Sequence, residues 1–207
     1  MRLLTEEKYA LIGREIKTLL GNRRLILASD SPRRRQILSE IGLTFQVISP
    51  NIEEHLNSTP PAQHVVRYSL EKVKAASQKV SRGMILGADT IVVLESEILG
   101  KPKSQKEAFQ MLSKLSGQTH TVYSGVAILE VEKNISLTGY QTTEVVFNRL
   151  DNAEIERYLS TGEYVDKAGA YGIQGMGSLL VKEIKGDLDN VIGLPLATVR
   201  KLLAEVV

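Results

Sequence analysis

Apolar residues recur at helical intervals at Tyr9, Ile12, Ile16 and Leu19, and Gly21 follows them. Residues 5–20 therefore read as an amphipathic helix with acids at its start. Leu25–Ala28 is a short apolar run of the buried-strand type, broken by Ser29, Asp30 and Ser31. Pro32 has no N–H to lose and suits a first helical turn, which puts Arg33, Arg34 and Arg35 at a helix start. Residues 44–48 alternate as a strand, and a polar loop over residues 49–61 carries Glu53 and Glu54. Val66, Leu70, Val73 and Ala76 predict a helix over residues 62–80, which carries Arg67, Glu71 and Lys72. Met84–Leu94 is the most apolar strand of the chain, and a short return at Ile98 and Leu99 leads into Gly100, Lys101 and Pro102.

In the C-terminal half, Ser104 with Glu107 predicts a capping box for a helix over residues 104–115, ended by Gly117. Residues 119–130 and 136–148 are long and β-branched and read as paired strands. Asp151 and Glu154 cap the next helix in the same way. Residues 162–177 are rich in glycine and have no period, so they form a loop of special backbone angles. A strand over residues 178–185 and a closing helix opened by Pro195 complete the chain. Strands alternating with helices make the class α/β. No repeat or linker divides the sequence, which reads as a helical extension over residues 1–22 and one domain, two-lobed, over residues 23–207.

Composition narrows the chemistry. With 26 basic and 24 acidic residues the net charge is +2, and aromatics are 5%, so neither a nucleic acid nor a membrane surface is called for as partner. The absence of cysteine excludes disulfides, thiolate metal sites and cysteine nucleophiles, and fits a reducing compartment. The three histidines are too scattered for a His-built zinc site. No apolar run approaches membrane length, and the start lacks the apolar core of a signal peptide, so the protein reads as cytoplasmic.

Several residues stand out against this background. A helix start with small side chains, open backbone N–H groups and arginines favours phosphate, although a capped surface helix with solvated arginines would look the same. Asp89 lies among Leu86, Gly87, Ala88, Ile91, Val92 and Val93, where an unpaired carboxylate costs on the order of several kcal/mol. It reads as a general base, a metal ligand, or a structural aspartate at a bulge beside Gly87, with Thr90 on the opposite face or the rim. Glu54 matters if its loop folds back toward Asp89, when two carboxylates and a triphosphate would bind Mg²⁺ or Mn²⁺. Lys101 is fixed between glycine and proline just after that strand. Gln174, in the glycine-rich loop, offers a donor and an acceptor together, the complement of a pyrimidine edge, or else bonds its own backbone.

The stretches LASDSPRRRQIL, GADTIVVL, ILGKP, YSGVAI, GEYVDKAGAYGIQG and NVIGLPL, in that order, resemble the Maf family of septum-formation-type nucleoside triphosphate pyrophosphatases. The resemblance implies a mixed, twisted sheet flanked by helices, of the inosine triphosphate pyrophosphatase type, with a cleft between lobes, a divalent metal and a homodimer. It gives Asp89 the role of proton acceptor and Glu54 that of second acid, these two holding the metal. Ser29, Arg33, Arg34, Lys72 and Lys101 fall on polyphosphate positions. Arg33, Thr90 and Gln174 fall on three positions that differ between subgroups, and match the one hydrolysing dTTP and UTP to monophosphate and pyrophosphate. A nucleotide-binding regulator of cell division with little turnover is the alternative. The extension over residues 1–22, Asp30 in place of a commoner glycine, and GDLDN at residues 186–190 depart from the family pattern.

Overall fold

The N-terminal helix is Arg2–Leu20 (α1), and the arginine-rich turn joins Leu25–Ala28 (β1) to Pro32–Glu40 (α2). Phe45–Val47 (β2), Pro61–Ser77 (α3), Met84–Leu94 (β3) and Glu97–Leu99 (β4) follow. Gln105–Leu115 (α4) leads to the long pair Thr119–Glu130 (β5) and Ile135–Phe147 (β6), then to Asn152–Ser160 (α5). Val181–Lys185 (β7), Leu188–Ile192 (α6) and Leu196–Val206 (α7) end the chain. This computed structural model describes residues 2–55 and 59–206, with side chains from residue 7 onward. The first residue of the predicted extension and the middle of the predicted loop, residues 56–58, lie outside the described residues.

The seven strands form one mixed sheet in the order β2-β1-β3-β5-β6-β7, with β4 also beside β3. β2, β1 and β3 run parallel, and the remaining pairings are antiparallel. The sheet splits at one point. β5 pairs with β3 from Met84 to Val93, but on the other edge β1 pairs only as far as Gly87 and β4 begins only at Val92. Asp89 and Thr90 lie in that gap, where an apolar strand leaves backbone polar groups without a ladder partner. Such groups need other donors and acceptors.

Side-chain alternation sends successive β3 residues to opposite faces. α3 covers one face, packing Val73 and Ala76 against Ile26, Ile85 and Ala127, and Val65 against Ile91 and Val93. Two cores cover the other face. Ile12 and Ile16 of α1, Ile37 and Leu38 of α2, and Val199 and Leu203 of α7 enclose Met84 and Leu86 at one end. Leu112 of α4 and Ile155 and Leu159 of α5 enclose Val92 and Val122 at the other. The cleft opens between them, so the two-lobed reading corresponds to two cores on one sheet. Among the described residues no helix is long and apolar enough to cross a membrane.

Some boundaries differ from expectation for definable reasons. The β3–β5 register is regular throughout, so Asp89 sits at no bulge. Residues 175–180 form a 3₁₀ turn and shorten the predicted strand to β7, while α6 occupies the GDLDN region that carried no helical period. The Asp151–Glu154 capping box is complete. At α4 only half of one forms: Ser104 accepts from Glu107 N, but the Glu107 carboxylate turns to Lys103 N instead.

His120 of β5 is buried, with Nε2 at 2.7 Å from the Tyr171 hydroxyl and its ring edge-on to Phe147 and Tyr171. Burial pushes its pKa down from 6.5 to about 4. The native state thus binds fewer protons than the unfolded chain between those values. Stability should be fully present above pH 6.5 and fall as pH drops toward 4, by roughly 3 kcal/mol from this group. Urea unfolding at pH 7.5 and 4.5 checks it: His120→Gln should reduce the difference, and an unchanged difference would clear His120 of the effect.

Candidate active site

A cleft of about 1090 Å³ opens at the sheet gap, and all nine residues singled out from the sequence line it. At its floor a chain of charges alternates in sign. Lys72 of α3 donates to Asp89 Oδ1 at 2.8 Å and to the Ala88 carbonyl at 3.1 Å, giving that unladdered oxygen a partner. The same ammonium lies 2.6 Å from Glu54 Oε1, and Lys101 Nζ lies 3.2 Å from Glu54 Oε2. The loop after β2 does fold back toward Asp89. Burial pushes the Glu54 carboxyl up, but Lys72 and Lys101 together outweigh it and hold it at about 2. Lys72 and Asp89 are almost wholly buried, whereas Lys101 is more than half exposed at the mouth.

Two glycines let this chain assemble. A Cβ on Gly125 of β5, directly across from Asp89, would stand 2.2 Å from the Val65 carbonyl oxygen of α3. One on Gly87 would stand 2.7 Å from the Ser69 carbonyl oxygen. With hydrogen at both positions α3 lies directly on the sheet, close enough for Lys72 to reach Asp89.

Across the sheet, Thr90 faces the other wall. Arg34 is buried and donates through Nη2 to Thr90 Oγ1 at 3.1 Å, through Nη1 to Ser29 Oγ at 3.1 Å, and through Nε to the Gly193 carbonyl at 2.8 Å. Burial pushes its pKa down, with Asp89 and Glu54 opposing that. Thr90 Oγ1 also lies 2.9 Å from Ser124 Oγ, which donates to the Asn190 carbonyl of α6. Arg34 is therefore braced from inside, and neighbouring Arg33, half-buried, is held by the Asp166 carbonyl at 3.4 Å. The Ser31 side chain makes no capping bond, which leaves the α2 start open toward the cleft.

The glycine-rich loop closes the third side. Asp166, Gly169, Ala170 and Gly175 all have positive φ. Glu163 accepts from Met176 N at 3.2 Å and Gly177 N at 3.3 Å and so clips the turn that follows Gln174. Gln174 is exposed, and its amide makes no hydrogen bond among the described residues. Sequence reasoning missed Gly125, Ser124, Glu163 and Asn190, whose importance lies in what packs on them. The stretches YSGVAI, GEYVDKAGAYGIQG and NVIGLPL held all four, but no period or charge pattern marked them.

Among the described residues no group of three His, Cys, Asp or Glu converges as a metal site. Asp89 and Glu54 nonetheless share one cation, the Lys72 ammonium, and their hard oxygen donors suit Mg²⁺ or Mn²⁺ completed by substrate oxygens and water. The residues fit such an ion.

A family described as Maf-like protein matches residues 24–206. A dTTP/UTP pyrophosphatase of Dictyoglomus turgidum is 46% identical over 181 residues, 86% of this chain and 94% of that protein. One of Moorella thermoacetica is 47% identical over 182 residues, 87% of this chain and 94% of that protein. Among solved structures, the Staphylococcus aureus Ham1 protein aligns with a TM-score of 0.43 and 14% identity, over 60% of this chain and 72% of that one. With the family match spanning β1 to α7 and running through every wall of the cleft, this chain belongs to the Maf family.

Proposed function

We propose that the protein hydrolyses dTTP and UTP to the monophosphate and pyrophosphate. The observation that carries this reading is the convergence of the Asp89–Lys72–Glu54–Lys101 chain and the Arg33–Arg34 helix start on one cleft. The names of the relatives supply the substrate. Ser29, Arg33 and the open N–H groups of α2 bind the phosphates, with Arg34 as the brace beneath them. Asp89 orients a water and takes its proton as the oxygen attacks the α-phosphorus, and the bond to the β-phosphate breaks. Lys72 and Lys101 stabilise the charge that develops on the phosphates, so the catalysis is mainly positioning and electrostatics. Glu54 and Asp89 would hold a Mg²⁺ or Mn²⁺ ion, which when bound neutralises the pyrophosphate leaving group. A homodimer and a cytoplasmic setting complete the reading.

The test is pyrophosphate release from a panel of ordinary and modified triphosphates with Mg²⁺ or Mn²⁺. Turnover concentrated on dTTP and UTP supports the proposal, and binding without turnover would leave the division-regulator alternative. Base choice is assigned to Thr90 and Gln174. A site built to bond a base edge discriminates strongly, so Gln174→Ala should lower the kcat/KM preference for dTTP over GTP by about a hundredfold. An unchanged preference would remove Gln174 from that role.

A further inference from the structure

Tyr68 is not among the residues that line the cleft, yet its hydroxyl makes an unusual pair of bonds. It accepts from His55 N at 2.7 Å and donates to the His55 carbonyl at 2.9 Å. A phenol has one proton to give and lone pairs to receive, so both backbone groups of a single residue are satisfied by one oxygen. His55 directly follows Glu54. Tyr68 lies on α3, one helical turn before Lys72, and is 2% exposed. Its ring is wedged at 4.7 Å from the His64 ring, and the Arg67 guanidinium lies 4.5 Å over it. The ring cannot swing, so the hydroxyl is a fixed point on the same rigid helix that carries Lys72. Among the described residues, residues 51–55 make no backbone-to-backbone hydrogen bond, and this part of the loop depends on side chains for its place.

We propose that Tyr68 is a positioning residue that ties the Glu54 loop to α3, so that Glu54 and Lys72 travel as one unit at the cleft floor. The tether sets where the second carboxylate stands against Lys72 and Lys101. An error of about 1 Å in such a group costs as much as a hundredfold in rate. The chemistry it serves rests on the pyrophosphatase reading above; the tether itself does not.

Tyr68→Phe removes the oxygen and keeps the ring. For dTTP with Mg²⁺, kcat should fall about tenfold while KM moves less than about threefold, because lost alignment acts mainly on the transition state. Amide hydrogen exchange at His55 should speed up in the same variant, with the β3 and β5 amides unchanged. The separating measurement is a double-mutant cycle with Glu54→Gln. If Tyr68 acts through Glu54, the double variant is no slower than Glu54→Gln alone, whereas a general structural loss would multiply. Wild-type turnover in Tyr68→Phe, multiplied losses, or unchanged exchange at His55 would each overturn the proposal. If the wild-type protein releases no pyrophosphate from any triphosphate, the functional reading fails instead, and the exchange comparison still decides the tether.

Discussion

Asp89→Asn is expected to fold normally and lose on the order of a hundredfold or more in dTTP turnover, the scale on which a positioned base contributes. The fold should survive because of what remains around the vacated charge. Removing one member of a buried ion pair usually destabilises by about 3–5 kcal/mol, since the partner is left uncompensated. Here the partner is Lys72, and Lys72 keeps Glu54 at 2.6 Å. The asparagine oxygen can still accept from the ammonium in place of Asp89 Oδ1, so the cost should be about 1 kcal/mol, that of one ordinary hydrogen bond. What asparagine cannot do is take a proton from water. Thermal unfolding beside steady-state pyrophosphate release measures both halves. A variant that unfolds at the wild-type temperature and turns over dTTP at the wild-type rate would remove Asp89 from the chemistry.

The parts of the site that were legible in sequence are those that violate a local expectation. Asp89 is a charge inside an apolar strand, and the arginines follow a proline at a helix start; each is visible within a dozen residues. The alternation of strands and helices was visible for the same reason, because period is a local property. What was hidden depends on partners far apart in sequence. Arg34 was readable as a cation but not as a buried brace, since Gly193 and Thr90 lie 159 and 56 residues away. Helix α6 is a single short turn-rich segment whose buried Asn190 faces Val122 and Thr143, and no apolar period announces it. The sheet gap was unreadable because it arises where β1 stops and β4 begins, a matter of strand lengths on an edge that only the assembled sheet defines. The pairing of Lys72 with Asp89 required knowing which helix lies on that face.

Gly125→Ala should cost more in activity than in stability. Its Cβ would stand 2.2 Å from the Val65 carbonyl oxygen and 2.4 Å from the carbonyl carbon, both backbone atoms of α3 that cannot rotate away. The helix must lift or the strand must bend. Overpacking of this kind costs about 1–3 kcal/mol in stability. The functional cost is larger, because α3 carries Lys72 and the sheet carries Asp89. Raising the helix stretches their 2.8 Å contact and shifts Glu54, which is bonded to the same ammonium. Turnover per folded molecule, measured well below the unfolding temperature, should fall by about a hundredfold. Gly139→Ala serves as the comparison. Its Cβ would meet side-chain carbons only, the nearest being the Thr198 methyl at 3.1 Å, and α3 would not feel it. If the two variants lose stability and activity to the same degree, close approach of α3 to the sheet is not what holds Lys72 on Asp89.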